Sequence, residues 1–196
     1  MAVCDWFFVD FRASEYRQVR KLIADSSIQD SQFKRQLEDL HLVTEVLLNE
    51  TECTRRLILA HFDEEHSSDC GFCSVCQTRQ TRDSLSTHDM TSEAEKILLL
   101  LEQMRQLKCK KHWSETMLLA AIKGDKIEGA ADCKSYGCQL ILPSGKGAKK
   151  SEIEVFLLIL ILHDVFEEYT HQSIPLKAIK PVKHVYIKVG IFYSPL

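Results

Sequence analysis

The sequence lacks a secretory signal and any stretch long enough to cross a membrane. Residues 1–6 show no basic segment leading into an apolar run, which is the pattern of a signal peptide. The longest apolar stretch covers only residues 153–162 and includes Glu154, whereas a bilayer-spanning helix needs about 20 apolar residues. We therefore expect neither a secreted nor a membrane-spanning protein, and we expect residues 153–162 to be a buried element.

The sequence also lacks the phosphate-binding loop of ATP-driven enzymes. The closest segment, residues 144–151, fails the pattern G-x4-G-K-[ST] because Lys149 stands where the second glycine should be. Residues 63–66 spell the D-E-x-H box of ATP-driven motors, but they lie between cysteines that we predict to bind metal. We interpret this box as a coincidence and expect no ATP hydrolysis by the chain alone, and no small-molecule substrate.

Charge is distributed unevenly, although the formal net charge is only −3. Residues 1–88 contain 10 Lys/Arg and 15 Asp/Glu, whereas residues 89–196 contain 15 and 13. Within the second half, residues 108–150 hold nine lysines against four acids, and residues 173–190 hold four lysines and no acid. These local basic stretches indicate an anionic partner such as nucleic acid, which the net charge alone would not suggest.

Four of the eight cysteines follow the spacing C-x16-C-x2-C-x2-C, at Cys53, Cys70, Cys73 and Cys76. Structural zinc takes four soft ligands at tetrahedral corners, and short spacings allow a tight turn to place neighbouring thiolates on one ion. Gly71, inside the first short spacing, gives that turn backbone freedom. We therefore predict one structural zinc ion per chain, with no open position for catalysis.

The first half has the pattern of helices on both sides of this motif. Residues 6–9 are typical of a strand, and residues 14–23 follow as a helix with Val19, Leu22 and Ile23 on one face.

A second helix is predicted over residues 30–48, where apolar residues recur at helical spacing. Residues 49–52 form a capping-box pattern for a third helix that runs to Phe62. The polar segment 77–88 predicts a linker.

The second half has the element order of a winged-helix domain. The predicted elements are helices opened by Ser92, by Ser114 and by Ser151, and then two strands at residues 164–169 and 184–190. Gly124 ends the second of these helices, and residues 125–150 read as a loop. The whole chain is therefore expected to be α+β and mainly helical, with a Cys4 zinc-binding helical subdomain followed by a winged-helix domain.

The cysteine segment resembles the zinc-binding segment of RecQ-family DNA helicases. Residues 49–64 read N-E-T-E-C-T-R-R-L-I-L-A-H-F-D-E and residues 70–76 read C-G-F-C-S-V-C. The family pattern is C-R-R-x6-F-[GD]-E followed by C-x2-C-D-x-C. Thr54 and Ser74 depart from it, since the family usually has Arg and Asp there. The x16 spacing is similar to bacterial members, and the flanking sequence is similar to Bloom-type members.

The resemblance extends to both sides and implies three parts. Residues 1–25 look like a remnant of the second RecA-like motor lobe, residues 26–84 like the RecQ-type zinc-binding subdomain, and residues 85–196 like the RecQ C-terminal (RQC) winged helix.

The implied protein is the DNA-binding region of a nuclear 3'–5' DNA helicase that acts in DNA repair, recombination and replication. It would grip duplex or forked DNA and aid strand separation. Other repair proteins would be further partners, while ATP and Mg²⁺ would serve only in a full-length helicase.

The resemblance also implies which residues contact DNA. Phosphate contacts would come from Lys123, Lys126, Lys134, Lys146, Lys149 and Lys150, and the hairpin would add Lys177, Lys180 and Lys183. Tyr169 is the candidate for stacking on the last base pair. Because the basic residues are almost all lysines, we expect recognition of DNA structure rather than of base sequence.

Two other functions are compatible with the sequence. One is a winged-helix transcription regulator, which would prefer one duplex sequence over scrambled duplexes. The other is a protein-interaction adaptor in which zinc supports the fold and the winged helix binds a protein. An adaptor would fail to bind forked DNA at any salt concentration.

Overall fold

The computed structural model describes residues 11–26, 29–65, 68–81, 88–106, 112–125, 147–173 and 182–189. Within these ranges the protein is α+β and mainly helical, as predicted. Its elements are α1 Ala13–Ser26, α2 Asp30–Leu48, α3 Thr54–His61, α4 Ser74–Thr81, α5 Thr91–Gln106, α6 Glu115–Lys123, α7 Lys150–Leu162, β1 Phe166–Ser173 and β2 Val182–Val189. The strand predicted at residues 6–9 lies outside the described residues.

Helix α1 buries a different face from the predicted one. Val19 and Leu22 are 43% and 67% exposed, whereas Tyr16 and Arg20 are buried. The apolar residues Val19 and Leu22 therefore do not mark the buried face of this helix. A buried guanidinium is tolerated here because Glu168, which is distant in sequence, pairs with Arg20.

The segment between α2 and α3 is a turn rather than a capping box. The Oδ1 atom of Asn49 accepts hydrogen bonds from the N–H groups of Thr51 (3.2 Å) and Glu52 (2.9 Å). Helix α3 begins only at Thr54, after Cys53. The predicted helix is therefore present, but the predicted capping box is not.

Helix α4 occupies part of the predicted linker. It begins at Ser74, inside the cysteine motif, and ends at Thr81. Arg79 on this helix pairs with Asp69 just before the second cysteine (2.7 Å). The linker prediction is thus wrong for residues 77–81, and residues 82–87 lie outside the described part of the chain.

Helix α6 begins after Ser114 and ends before Gly124, as predicted. The Ser114 hydroxyl accepts a hydrogen bond from the Met117 N–H (3.3 Å), and Gly124 ends the helix in the left-handed conformation that favours glycine, with φ of 72°.

Helices α5 and α7 begin slightly earlier than predicted. Helix α5 starts at Thr91, ahead of the predicted cap at Ser92. Helix α7 starts at Lys150, and the Glu152 carboxylate accepts the N–H of Lys149 (2.6 Å). Within the part of the chain that the structure covers, no helix is long and apolar enough to cross a membrane.

Helices α5, α6 and α7 and the hairpin share the main core. Its fully buried side chains include Ile97, Leu101, Met104, Leu118, Leu157, Ile161 and Phe166. The carbonyl of Trp113 accepts the N–H of Ile187 (2.9 Å) and extends the edge of β2. The predicted order of three helices and a hairpin is therefore present, and the interval between α6 and α7 is described only at its ends.

The two strands are antiparallel. The first strand extends beyond its predicted end, residue 169, to Ser173. In their register Tyr169 pairs with Tyr186 and His171 pairs with His184. Because strand side chains alternate between faces, these four rings share one face, which we call the open face. Asp164 lies in the turn after α7, with φ of 57°, rather than in the strand.

Helix α1 connects the two halves of the molecule. Arg17 pairs with Glu115 of α6 (3.1 Å) and with Glu154 of α7 (2.9 Å). Arg20 pairs with Glu115 (3.1 Å) and with the fully buried carboxylate of Glu168 on β1. A second hydrophobic cluster, which includes Tyr16, Phe33, Leu37 and Leu158, underlies these ion pairs.

Candidate metal centre and nucleic-acid interface

The structure brings the four predicted zinc ligands together. The sulphur atoms of Cys53, Cys70, Cys73 and Cys76 all lie within 4.8 Å of one another, and the sulphurs of Cys70 and Cys76 are 4.0 Å apart. Zinc–sulphur bonds of about 2.3 Å at tetrahedral corners require sulphur–sulphur distances of about 3.8 Å. The cluster is therefore close to the size that a zinc ion would impose.

Backbone N–H groups point at these sulphurs. The N–H groups of Phe72 and Cys73 donate to the Cys70 sulphur (3.4 and 3.3 Å), and the N–H of Cys76 donates to the Cys73 sulphur (3.4 Å). Gly71 makes the turn possible with φ of 73°. Such donors stabilise thiolate rather than thiol, which is the form that binds metal.

The four thiols do not ionise equally. Burial opposes ionisation of Cys73, but N–H donors from Cys76 and Thr54 outweigh it and lower the pKa of Cys73 to about 6. Burial raises the pKa of Cys76 to about 12, while the N–H of Cys70 lowers the pKa of Cys53. All four side chains would be thiolates together only with a cation among them, and a soft divalent ion with four ligands fits this donor set.

The predicted phosphate-binding lysines are only partly described. Lys149 and Lys150 are exposed at the start of α7, and Lys150 also approaches Glu154 (3.8 Å). Lys123 pairs with Asp125 (3.4 Å), so a phosphate would compete with a carboxylate there. The side chains of Lys126, Lys134, Lys146, Lys177, Lys180 and Lys183 lie outside the described part of the structure.

Tyr169 belongs to an aromatic cluster that the sequence predictions missed. Its ring lies 5.9 Å from that of Tyr186, and its hydroxyl is hydrogen-bonded to Nδ1 of His112 (3.0 Å). The His112 ring stacks on His171, with centroids 4.1 Å apart, and His184 lies 6.2 Å from Tyr186. The alternation Tyr-x-His in β1 and His-x-Tyr in β2 could have revealed four of the five rings.

The charges next to these rings are mainly positive. The Lys188 ammonium lies 5.9 Å from the centre of the Tyr169 ring and pairs with Glu167 (3.2 Å). Lys34 of α2 approaches the same carboxylate (3.9 Å). His171, His184 and Lys188 are exposed, so the open face offers stacking surfaces and cationic side chains together.

A sequence model described as RecQ zinc-binding matches residues 13–77. The matched range includes α1, α2, α3, the first turn of α4 and all four clustered cysteines. The sequence pattern and the sulphur geometry thus identify the same segment.

The chain is also similar to an ATP-dependent DNA helicase RecQ of Bacillus subtilis (strain 168). The two sequences are 28% identical over 151 residues, which cover 74% of this chain and 23% of the helicase. The chain thus spans about a quarter of the length of this curated relative. Residues 13–77 are therefore similar to RecQ zinc-binding domains, and most of the chain is similar to part of this RecQ helicase.

Proposed function

We propose that this chain is the DNA-binding region of a RecQ-type 3'–5' DNA helicase. The open face of the hairpin carries this proposal, because half-buried tyrosines and exposed histidines beside an exposed lysine are suited to bases and phosphates. The proposed region grips duplex or forked DNA and aids strand separation. ATP hydrolysis with Mg²⁺ belongs to a complete helicase.

The proposed organisation follows the family resemblance. Residues 1–25 are a remnant of the second motor lobe, residues 26–84 form the zinc-binding subdomain, and residues 85–196 form the RQC winged helix. Helix α1 packs against α2 through the second hydrophobic cluster and is ion-paired to α6 and β1, which is compatible with this organisation. We further propose a nuclear role in repair, recombination and replication, with other repair proteins as partners.

Zinc in this proposal is structural and bound once per chain. Cys53, Cys70, Cys73 and Cys76 are the proposed ligands, because their sulphurs are mutually close and receive backbone donors. The ion would hold the start of α3 against the start of α4. All four positions are filled by protein, so no water is activated there.

The lysines of the second half are the proposed phosphate contacts. Lys149 and Lys150 are exposed at the N-terminus of α7, where helix N–H groups also favour anions. The remaining proposed contacts are Lys123, Lys126, Lys134, Lys146, Lys177, Lys180 and Lys183. Phosphate contacts of this kind set register and affinity without reading sequence.

Fluorescence anisotropy with forked, duplex and single-stranded DNA tests this proposal. We expect Tyr169→Ala and Tyr186→Ala to weaken binding to forked DNA several-fold, because a stacked base contributes about 1–3 kcal/mol. Phe72→Ala is the matched control, since this aromatic residue is 73% exposed but lies in the cysteine motif.

The outcomes separate the alternatives. Failure of the parent protein to bind any of the three DNAs at low salt would favour the adaptor function. A strong preference for one duplex over scrambled duplexes would favour the transcription regulator. Equal weakening by the hairpin variants and by Phe72→Ala would remove the hairpin from the proposed interface.

A further inference from the structure

An apolar groove lies between α2 and α3. It has a volume of about 660 Å³, and its aliphatic lining consists of Leu42, Val43, Val46, Leu47, Leu57 and Ile58. On α2 these residues recur at intervals of three and four and so form a stripe along two turns. Aliphatic side chains from both helices thus line the groove.

The groove is open to solvent. Leu42, Val43, Leu47 and Ile58 are between 36% and 57% exposed, and they are four of the ten large hydrophobic residues exposed in the described part of the chain. The buried side of α2 is a different one, formed by Phe33, Leu37 and Thr44. Contiguous apolar surface of this kind marks interaction sites more often than isolated exposed residues do.

The surroundings of the groove are acidic. Asp39 and Glu45 belong to its lining. Residues 38–65 contain eight Asp/Glu and two Lys/Arg, and one of the two, Arg56, pairs with Glu52 (3.3 Å). This surface repels phosphates, so it is unsuited to nucleic acid, and it attracts lysine and arginine.

We propose that this groove binds an amphipathic, lysine-rich or arginine-rich helix of a partner protein. Its aliphatic stripe would lie between α2 and α3, and its basic flank would face Asp39 and Glu45. Helix-in-groove binding requires apolar anchors at three- and four-residue spacing together with a complementary rim, and both are present here. The proposal does not depend on DNA binding, because it concerns the acidic half of the chain.

The probe is a synthetic, end-blocked peptide of about four helical turns with leucines at i, i+3, i+4 and i+7 and lysines elsewhere. Binding of the fluorescein-labelled peptide to the full zinc-loaded chain is measured by anisotropy. We expect Val43→Asp to weaken binding by about tenfold or more, as for a central interface residue. Leu99→Asp is the matched control, because Leu99 is 64% exposed on α5 and should leave binding unchanged.

Charge is tested separately from shape. Double substitution Asp39→Lys and Glu45→Lys should weaken binding of the lysine peptide. A peptide of the same composition in scrambled order, and one with glutamates in place of lysines, should bind the parent poorly. Zinc content and circular dichroism of each variant show whether it has folded.

Three results would overturn the proposal. The first is absence of binding of the lysine peptide to the parent. The second is equal loss of binding in Val43→Asp and Leu99→Asp. The third is concentration-dependent dimerisation of the parent that Val43→Asp abolishes, because the groove would then be covered by a second copy of the chain.

Discussion

At the scale of single residues, Glu168 is the least ordinary side chain. Its carboxylate is fully buried, accepts a hydrogen bond from the Tyr16 hydroxyl and pairs with Arg20. Burial alone would raise its pKa, but the charge of Arg20 and hydrogen bonds from His41 and Tyr16 outweigh burial and lower it. The same surroundings, burial first, raise the pKa of Tyr16, so this hydroxyl stays a donor.

Glu168→Gln should therefore change stability and its pH dependence. A carboxyl with a lowered folded pKa stabilises the fold above its ordinary pKa of about 4.5, and this contribution is lost as pH falls through the folded value. We expect the variant to lose about 3 kcal/mol near neutral pH, because it leaves a buried arginine with fewer partners. Below pH 4.5 its free energy of unfolding should fall less steeply than that of the parent.

Glu167→Gln is the control for this experiment. Glu167 is adjacent in sequence but lies on the other face of β1, where it pairs with Lys34 and Lys188 at the surface. Such exposed pairs contribute about 1 kcal/mol or less. Urea unfolding monitored by circular dichroism between neutral and acidic pH measures both variants. Equal losses in the two would show that the buried network carries no special stability.

At the scale of elements, the cysteine cluster determines where α3 and α4 begin. Cys53 immediately precedes α3, and Cys76 lies within the first turn of α4. Neither helix exceeds eight residues, and isolated helices that short are marginal in water. A shared metal ion would compensate, because its binding free energy becomes folding free energy.

Cys73→Ser should accordingly lose zinc and loosen α4. A structural zinc site contributes on the order of 10 kcal/mol at neutral pH, so removal of one thiolate should lower the bound metal well below one ion per chain. Elemental analysis gives the stoichiometry, and amide hydrogen exchange reports protection of α3 and α4. Cys133→Ser makes the same chemical change at a cysteine outside the motif and should retain zinc. Full zinc content in the Cys73→Ser variant would contradict this assignment.

Elements marked by local rules could be predicted from the sequence, and those set by distant partners could not. Ser114 and Gly124 bound α6 because a hydroxyl cap and a left-handed glycine act within a few residues. The buried face of α1 could not be predicted, because Arg20 lies on it and is paired there with carboxylates of α6 and β1. Helix α4 was missed because six of its eight residues are polar and it has no apolar periodicity of its own.

The same distinction between local patterns and distant contacts applies to the candidate sites. The zinc cluster was predictable, since three of its members lie within seven residues and spacing alone places them together. The aromatic cluster needed the hairpin register and the approach of His112, which no local pattern specifies. The groove between α2 and α3 depends on how the two helices pack, which the spacing of apolar residues within each helix does not specify.

At the scale of the whole molecule, acidic residues predominate in the first half of the sequence and lysine-rich segments lie in the second. If six to eight lysines contact phosphates, DNA affinity should fall with a log–log salt slope of about −5 to −7. Lys149→Ala and Lys150→Ala should each make the slope shallower by about 1, and each should weaken binding to all DNA sequences alike. Lys96→Ala is the control, because Lys96 lies on α5 and pairs with Glu93.

The salt titration has a clear contrary outcome. A flat dependence, or slopes that are unchanged after substitution of both lysines, would show that these residues do not face phosphates. In that case the acidic groove, rather than the lysine-rich half, would be the principal binding surface of the chain.

The position of α1 also has a consequence for the order of folding. Its polar side chains find partners 98 to 152 positions later in the sequence. Contacts of such high sequence separation form slowly, because a long loop must close before they stabilise anything. On the ribosome, α1 emerges before α6 and β1, so Arg20 gains Glu115 first and its second carboxylate, Glu168, only when β1 has emerged.

Pulse-labelled amide exchange during refolding can test this order. Protection should appear first in α5, α6 and α7, whose core contacts are comparatively local, and last in α1. Protection of α1 as early as α6 would mean that α1 and α2 form an independent unit. Late docking of α1 makes its arginines the final step in joining α2 to the hairpin, so a ribosome that stalls before Glu168 would release a chain in which Arg20 has only Glu115 as its carboxylate partner.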